Sequence, residues 1–163
     1  MLTFITGDIL LSESHAIAHG VAPNDDFKQG LALSLREQWP SLYKDFRHFC
    51  QSTHPEEGSL WTWKGSSGPF VINIFTQEHP PVRGGTPGKA QLKYVSRGLQ
   101  ALTKEVSRLE LTSLALPRLA TGVGGLDWKD VKPLMENTLG ALSIPVYVYE
   151  TYQKQQKANE VQP

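Results

Sequence analysis

The chain of 163 residues is long enough for one domain built around a single hydrophobic core. Sixteen lysines and arginines balance sixteen aspartates and glutamates, which gives no support to a broad basic surface for nucleic acid. The single cysteine, Cys50, excludes an internal disulfide and a four-cysteine metal site, and we expect no metal or other cofactor. The sequence has neither the apolar run of ~20 residues that a membrane helix needs nor a signal-peptide pattern, so we expect a cytoplasmic protein.

Short apolar runs and helical spacing alternate in the first half of the chain. We predict a strand at residues 2–6 and a second strand at residues 15–19. From Asp26 onward apolar side chains recur at helical spacing, which predicts a helix with Asp25 or Asp26 as its cap. Pro40 interrupts that helix.

A second helix is predicted from Ser41, which has the side chain of a helix cap. Strands are predicted at residues 60–63 and 70–75, joined by a Gly-Ser-Ser-Gly turn. Residues 77–89 are rich in proline and glycine and therefore form a predicted loop.

The second half of the chain repeats the alternation. Apolar residues at three- and four-residue steps predict a long helix over residues 92–109, and residues 113–116 follow as a strand. A glycine-rich loop at residues 117–126 leads to Asp127, the predicted cap of a helix that ends near residue 142. Residues 145–149 supply the last predicted strand.

This order of elements predicts an α/β fold, a three-layer α/β/α sandwich with a mixed central sheet and helices on both faces. We expect one domain over residues 1–152. Residues 153–163 are polar and lack aromatic side chains, so they are predicted to form a disordered tail.

Two strand ends in the first half carry candidate binding residues, because ligands of α/β folds bind at the carboxyl ends of strands. Asp8 follows the first strand, where its carboxylate can accept hydrogen bonds from an amino group or cap a turn. The loop from Gly20 to Gly30 leads into a helix start, where backbone amides can receive phosphate. A long surface loop without a ligand is the other interpretation of that segment.

The most informative segment lies between residues 117 and 128. It contains Gly122, Gly124 and Gly125, and such a density of glycines lets main-chain N–H groups approach a polyanion closely. The segment suits a diphosphate, although its spacing matches neither the Rossmann nor the Walker pattern.

These segments resemble the macrodomain family over roughly residues 2–150. The resemblance rests on Thr6-Gly-Asp-Ile, on Ala18-His-Gly with Gly30-Leu-Ala-Leu, and above all on Leu116-Pro-Arg-Leu-Ala-Thr-Gly-Val-Gly-Gly-Leu-Asp-Trp. Macrodomains are α/β/α modules that bind ADP-ribose. The similar branch contains the yeast-type ADP-ribose 1''-phosphate phosphatase, terminal ADP-ribose glycohydrolases of animals, and antitoxins that reverse DNA ADP-ribosylation.

The resemblance implies the ligand contacts. Asp8 would hydrogen-bond the adenine amine, the Ile9 backbone amide would lie beside it, and Tyr149 would stack near adenine. One side of the diphosphate would be wrapped by Thr121, Gly122, Val123, Gly124 and Gly125.

The loop from Gly20 to Gly30, with Leu31 after it, would border the distal ribose and the other side of the diphosphate. In this branch a Met-Gly-x-Gly segment precedes the helix, whereas here Lys28 replaces one of the glycines. Lys28 would then bring a cation to a terminal phosphate or an acidic group, or it is simply solvated.

The resemblance fails at the residues of covalent glycosidic cleavage. The glycohydrolases and antitoxins use a lysine after a strand-ending threonine, and this chain has Gln77 after Thr76. An amide cannot form a Schiff base, so Gln77 is expected only to bind substrate. The aspartate that the animal enzymes carry in the second glycine loop is a glycine here, and Asp127 lies beyond that position.

His19 is the remaining candidate catalytic residue. It matches a histidine of the phosphatase group, where an imidazole can serve as acid, base or nucleophile. The alternative is a structural histidine whose hydrogen bonds are made by loop carbonyl groups. Glu78 and His79 could lie over the distal ribose or be solvated.

Three functions follow as hypotheses. The preferred one is a hydrolase acting on an ADP-ribose derivative, with ADP-ribose 1''-phosphate as the expected substrate. The second is a reader that binds ADP-ribose without turnover. The third is an eraser that removes ADP-ribose from protein or nucleic acid.

Overall fold

The computed structural model describes residues 1–82 and 85–160. Six strands form one sheet in the order β1-β6-β5-β2-β4-β3. The pairings are parallel except at the β3 edge, which runs antiparallel to β4, so the predicted mixed sheet is confirmed. The strands are β1 Leu2–Gly7, β2 Ala16–Val21, β3 Leu60–Lys64, β4 Phe70–Phe75, β5 Leu114–Pro117 and β6 Val146–Tyr152.

Two helix pairs cover the two faces of the sheet. The helices are α1 Gly30–Gln38, α2 Pro40–Thr53, α3 Leu92–Arg108 and α4 Trp128–Leu139. Leu99 of α3 and Met135 of α4 pack in one core with Ile72 and Ile74 of the sheet. Leu35 of α1 and Phe46 of α2 belong to a second core on the opposite face. This arrangement is the predicted α/β/α sandwich, because alternate residues of each buried strand face opposite layers.

The start of α1 differs from the prediction. The helix begins at Gly30 rather than near Asp26, because the two aspartates hold the preceding loop instead of capping the helix. The Asp25 carboxylate accepts hydrogen bonds from the backbone N–H groups of Ala22 and Phe27, both at 2.9 Å. Such local side-chain to backbone bonds compete with helix formation.

The starts of α2 and α4 depend on the residues at their N-termini. Pro40 is the first residue of α2, a position where its missing N–H group costs nothing, so the helix starts one residue before the predicted cap Ser41. Asp127 caps α4 as predicted and accepts a hydrogen bond from Lys129 N–H at 3.2 Å.

Residues 153–160, which the sequence predicts as a disordered tail, make hydrogen bonds to the rest of the domain in this structure, while residues 161–163 lie outside the described residues. The backbone of this segment continues past β6 and bonds to the residues that end β1. The Glu160 carboxylate accepts hydrogen bonds from Ser12, Ser14 and Tyr149 hydroxyls. Composition alone missed these contacts because they are made by the backbone and by one carboxylate, without a hydrophobic side chain larger than alanine.

Within the described part of the chain, no helix is both long and apolar enough to cross a membrane.

Candidate functional site

A cleft of about 480 Å³ opens at the carboxyl ends of the parallel strands β2, β5 and β6. Parallel strands bring their carboxyl ends to the same edge of a sheet, which is where α/β folds bind ligands. The cleft joins segments that are far apart in sequence. Ten of the predicted site residues line it: His19, Gly20, Gly30, Leu31, Gln77, Thr121, Gly122, Val123, Gly124 and Tyr149.

Four predicted site residues do not line the open cleft. Lys28 is exposed outside it, and its backbone N–H donates to the Asp26 carboxylate at 3.2 Å. Gly125 forms a turn beyond the cleft with a φ of 78°. Asp8 and Ile9 are buried beneath residues 153–160.

His19 lies at the base of the cleft and is 2% exposed. Its Nε2 atom is 2.7 Å from Oδ1 of Asn73, the residue paired with it on β4. The Asn73 amide group donates to the carbonyl groups of Trp61 and Val71, which leaves Oδ1 as an acceptor and assigns the proton to His19 Nε2. The lone pair of the imidazole therefore resides on Nδ1.

The charge state of His19 follows from its surroundings. Burial lowers its pKa from 6.5 to about 4, and the hydrogen bond to Asn73 offsets only part of that effect. The ring of Phe27 packs edge-on against the imidazole with centroids 5.8 Å apart, which keeps water from one side. His19 is consequently neutral at physiological pH and acts as a hydrogen-bond acceptor rather than as a cation.

The loop between β2 and α1 forms one wall of the cleft. Asp25 and Asp26 line it, although the sequence predicted them only as helix caps. Burial raises the pKa of Asp25, while its two backbone hydrogen bonds act in the opposite direction. Phe27 adopts a left-handed conformation with a φ of 51°, which turns its ring into the core under the loop.

The loop between β5 and α4 forms the opposite wall, and its glycines serve different purposes. A Cβ atom on Gly124 would lie 2.7 Å from the Ala120 carbonyl oxygen and 2.9 Å from the Ala90 Cβ, so this glycine is required by packing. A Cβ atom on Gly122 would meet nothing within 4 Å, so its side of the loop is open. The backbone near Gly122 can therefore approach a ligand closely.

Gln77 occupies the position where the resembling glycohydrolases carry lysine. It is 4% exposed, and its side-chain amide donates to the Gly88 carbonyl at 3.1 Å. Its backbone N–H also donates to the Val21 carbonyl at 3.3 Å, which ties it to the end of β2. Gln77 thus supplies a fixed polar wall without a nucleophile.

Glu78 and His79 do not line the cleft. Glu78 accepts a hydrogen bond from the Gln91 side chain, and the Tyr94 hydroxyl donates to it at 3.4 Å. His79 is exposed and lies 3.5 Å from the Glu57 carboxylate. The alternative that places them over a ribose is not supported by this geometry.

The sequence prediction missed a cationic side chain at the cleft, Arg118, which lies there together with the acidic residues Asp25, Asp26 and Glu150. The Arg118 guanidinium donates to the Glu150 carbonyl and lies 5.6 Å from the Trp128 ring centre. The arginine stands directly before the glycine segment, so its position in the motif was the available signal. The Glu150 carboxylate is bonded to Lys132 and Trp128, and the Lys132 hydrogen bond is the main reason that its pKa is lowered.

No group of three or more histidine, cysteine, aspartate or glutamate side chains in residues 1–82 and 85–160 is arranged to hold a metal ion. Cys50 is buried in the core that α1 and α2 form with the sheet, where it packs as a small apolar side chain.

Comparisons with known proteins identify the fold family. The family model described as Macro domain matches residues 27–135, so the chain belongs to the macrodomain family. A DNA ADP-ribosyl glycohydrolase of Thermus aquaticus is 28% identical over 169 residues, covering 100% of this chain and 44% of the relative. The chain therefore spans less than half the length of that curated relative.

Solved structures agree with this assignment. The macrodomain of Thermus aquaticus DarG superimposes with a TM-score of 0.81 at 28% identity, covering 92% of this chain and 98% of that chain. Thermosipho africanus DarTG in complex with ADP-ribose gives a TM-score of 0.80 at 24% identity, covering 96% of this chain and 42% of that chain. At that identity the second comparison supports the fold alone.

Proposed function

We propose that this macrodomain binds ADP-ribose in the cleft and hydrolyses the glycosidic bond that joins ADP-ribose to an acceptor on DNA or protein. The proposal rests on one observation: the glycine loop at residues 121–124 and the end of β2 at His19 and Gly20 line the same cleft. The glycine loop is suited to a diphosphate, and the end of β2 would bring the neutral His19 imidazole to the adjoining ribose. The similar proteins are named as glycohydrolases, which supports the same reaction class.

The diphosphate would lie against the glycine loop, where open backbone and the Arg118 guanidinium offer hydrogen-bond donors. The distal ribose would then lie between Gly20 and Gly30, above His19. The Nδ1 atom of His19 would accept a hydrogen bond from a ribose hydroxyl or from the attacking water.

The chemistry would proceed without a covalent enzyme intermediate, because Gln77 provides no amine at the base of the cleft. Water would form the new bond to the anomeric carbon, and the bond to the acceptor would break. The acceptor would leave with one proton from the water, and ADP-ribose would carry the new hydroxyl.

ADP-ribose 1''-phosphate remains a sequence prediction with weaker support than a glycosidic substrate. The preference for it rested on His19 as an acid or base beside a terminal phosphate. A neutral imidazole does not attract an anion, and a pKa near 4 makes it a poor general acid at neutral pH.

The test is product analysis with three substrates in parallel: an ADP-ribosylated oligonucleotide, an ADP-ribosylated protein and ADP-ribose 1''-phosphate. We expect release of ADP-ribose from at least one glycosidic substrate and no phosphate release. Phosphate release without glycosidic cleavage would overturn the proposal in favour of the phosphatase. His19→Ala serves as the variant in which turnover should fall.

A reader of ADP-ribose is the second candidate, and Gln77 is the observation that favours it. Saturable ADP-ribose binding with no product from any of the three substrates would establish the reader and exclude the hydrolase.

A further inference from the structure

Residues 153–160, here called the strap, cover the end of the cleft beyond Tyr152. The strap makes a reciprocal pair of hydrogen bonds with Asp8. The Gln155 N–H donates to the Asp8 carboxylate at 2.9 Å, and the Asp8 N–H donates to the Gln156 carbonyl at 2.7 Å. Asp8 is only 4% exposed because the strap lies over it.

A single small side chain of the strap enters an apolar recess. Ala158 is 8% exposed and packs with Ile9, Tyr147 and Tyr149. A Cβ atom on Gly7 would lie 2.7 Å from the Ala158 Cβ, so the recess admits this alanine only because Gly7 has no side chain. The two tyrosines give the recess aromatic walls.

Glu160 holds the far end of the strap. Its carboxylate accepts hydrogen bonds from the hydroxyl groups of Ser12 at 2.7 Å, Ser14 at 3.2 Å and Tyr149 at 2.7 Å. The backbone N–H of Glu13 is a fourth donor at 3.1 Å. The remaining strap residues, 153–157 and 159, are exposed. Two of them add contacts, since the Lys157 ammonium pairs with the Glu13 carboxylate and the Gln153 N–H donates to the Gly7 carbonyl at 3.0 Å.

The groups of the recess that hold the strap would also suit a flat aromatic ligand. A carboxylate acceptor and a neighbouring N–H donor stand beside an aromatic, apolar space. A nucleobase such as adenine, which presents an amino donor next to a ring-nitrogen acceptor, matches that pattern and can stack on the tyrosines. The strap presents the same donor and acceptor from its backbone, at Gln155 and Gln156.

We propose that the strap is a displaceable competitor of the ligand's nucleobase, so that ADP-ribose binds fully only when residues 155–160 leave the recess. This inference rests on the proposed ADP-ribose binding. A ligand that binds only the open form has its apparent affinity reduced by the open fraction. Weakening the Glu160 attachment therefore tightens binding without adding any contact to the ligand.

The test compares the full chain with Glu160→Ala and with the matched control Asn159→Ala, whose side chain makes no hydrogen bond in the described residues. Calorimetric titration with ADP-ribose should give a dissociation constant about tenfold lower for Glu160→Ala, since several hydrogen bonds to a carboxylate are lost from the closed form. The Asn159→Ala protein should bind as the wild type does. Ribose 5-phosphate, which has no nucleobase, should bind all three proteins equally.

Failure of the strap and failure of the proposed function give different results. An unchanged or weaker affinity of Glu160→Ala for ADP-ribose would overturn the strap as a competitor and leave ADP-ribose binding intact. The absence of saturable binding in all three proteins would overturn the proposed function and the strap with it.

Hydrogen exchange gives a second readout on the unmodified protein. If ADP-ribose displaces the strap, the Gln155 amide loses its bond to Asp8 and exchanges faster in the presence of ligand. Slower exchange at residues 153–160 on ligand addition would mean that the strap closes over the ligand as part of the site, which contradicts the proposal.

Discussion

His19 and Asn73 form a buried pair across neighbouring parallel strands, with Nε2 of the imidazole 2.7 Å from the amide oxygen. The pair sits at the base of the cleft and fixes which nitrogen of the ring carries the proton. Because a neutral amide rather than a carboxylate faces the imidazole, its hydrogen bond offsets only part of the effect of burial on the pKa of His19. The pair therefore defines a neutral, oriented acceptor beneath the ligand.

The neutral state of His19 predicts a specific pH dependence of stability. Its pKa is about 4 in the folded protein and 6.5 when exposed, so the unfolded chain binds more protons between these values and stability falls as the pH is lowered. Relative to His19→Gln, which does not titrate, the wild type should lose up to about 3 kcal/mol of unfolding free energy between pH 6.5 and pH 4. Denaturant unfolding at several pH values measures this. Parallel pH profiles for the two proteins would contradict it.

A substitution at the partner should change the titration of the imidazole. In Asn73→Asp the acceptor becomes a carboxylate, which stabilises the imidazolium and should raise the pKa of His19 by about 1–3 units. NMR titration of the His19 ring protons measures the shift. A pKa that stays near 4 would mean that burial alone controls the residue and that Asn73 does not set its protonation.

Two glycines of the second loop should respond differently to alanine. Gly124→Ala should destabilise the protein by about 1–3 kcal/mol, because the added Cβ would lie 2.7 Å from the Ala120 carbonyl oxygen. Gly122→Ala has open space and should leave the unfolding free energy unchanged within about 0.5 kcal/mol. Thermal or denaturant unfolding distinguishes the two.

Gly122→Ala also tests the diphosphate contact without disturbing the fold. If the diphosphate contacts the protein backbone at Gly122, this variant should weaken ADP-ribose binding by about tenfold while stability is retained. A tenfold weaker affinity corresponds to a loss of roughly 1.4 kcal/mol of binding free energy. Normal affinity in the folded variant would place the diphosphate elsewhere.

Gln77 offers a gain-of-function experiment. Gln77→Lys places an amine where the resembling glycohydrolases carry one, and should raise the rate of ADP-ribose release by at least about tenfold over the wild type. Gln77→Met is the matched control, with similar length and no nucleophile. Equal rates for the two variants would show that the surroundings at Gly88 and Val21 do not support amine chemistry.

The extent to which the sequence predicts this molecule depends on the type of contact. Periodicity predicted α3 almost to the residue, since Leu99 and Leu102 face one continuous core. The predicted start of α1 was wrong because the Asp25 carboxylate accepts hydrogen bonds from nearby backbone N–H groups. The spacing of apolar residues carries no information about such bonds.

Some features of the candidate site were likewise predictable from the sequence and others were not. The glycine segment predicted the loop that lines the cleft, because a turn alone does not require so many glycines in so few residues. The covering of Asp8 was not predictable from composition, since it depends on backbone bonds from Gln155 and Gln156 across 147 and 148 positions of sequence. The proton position on the His19 ring likewise depends on Asn73, which lies 54 residues away and has no motif of its own.

The most direct measurement of ADP-ribose binding in this cleft is calorimetric titration of the full chain with ADP-ribose, repeated with Gly122→Ala. We predict saturable binding at one site per chain, weakened in the variant. The assignment of this cleft to ADP-ribose would be contradicted if neither the wild type nor Glu160→Ala, in which the strap is expected to leave the recess, gave any heat of binding.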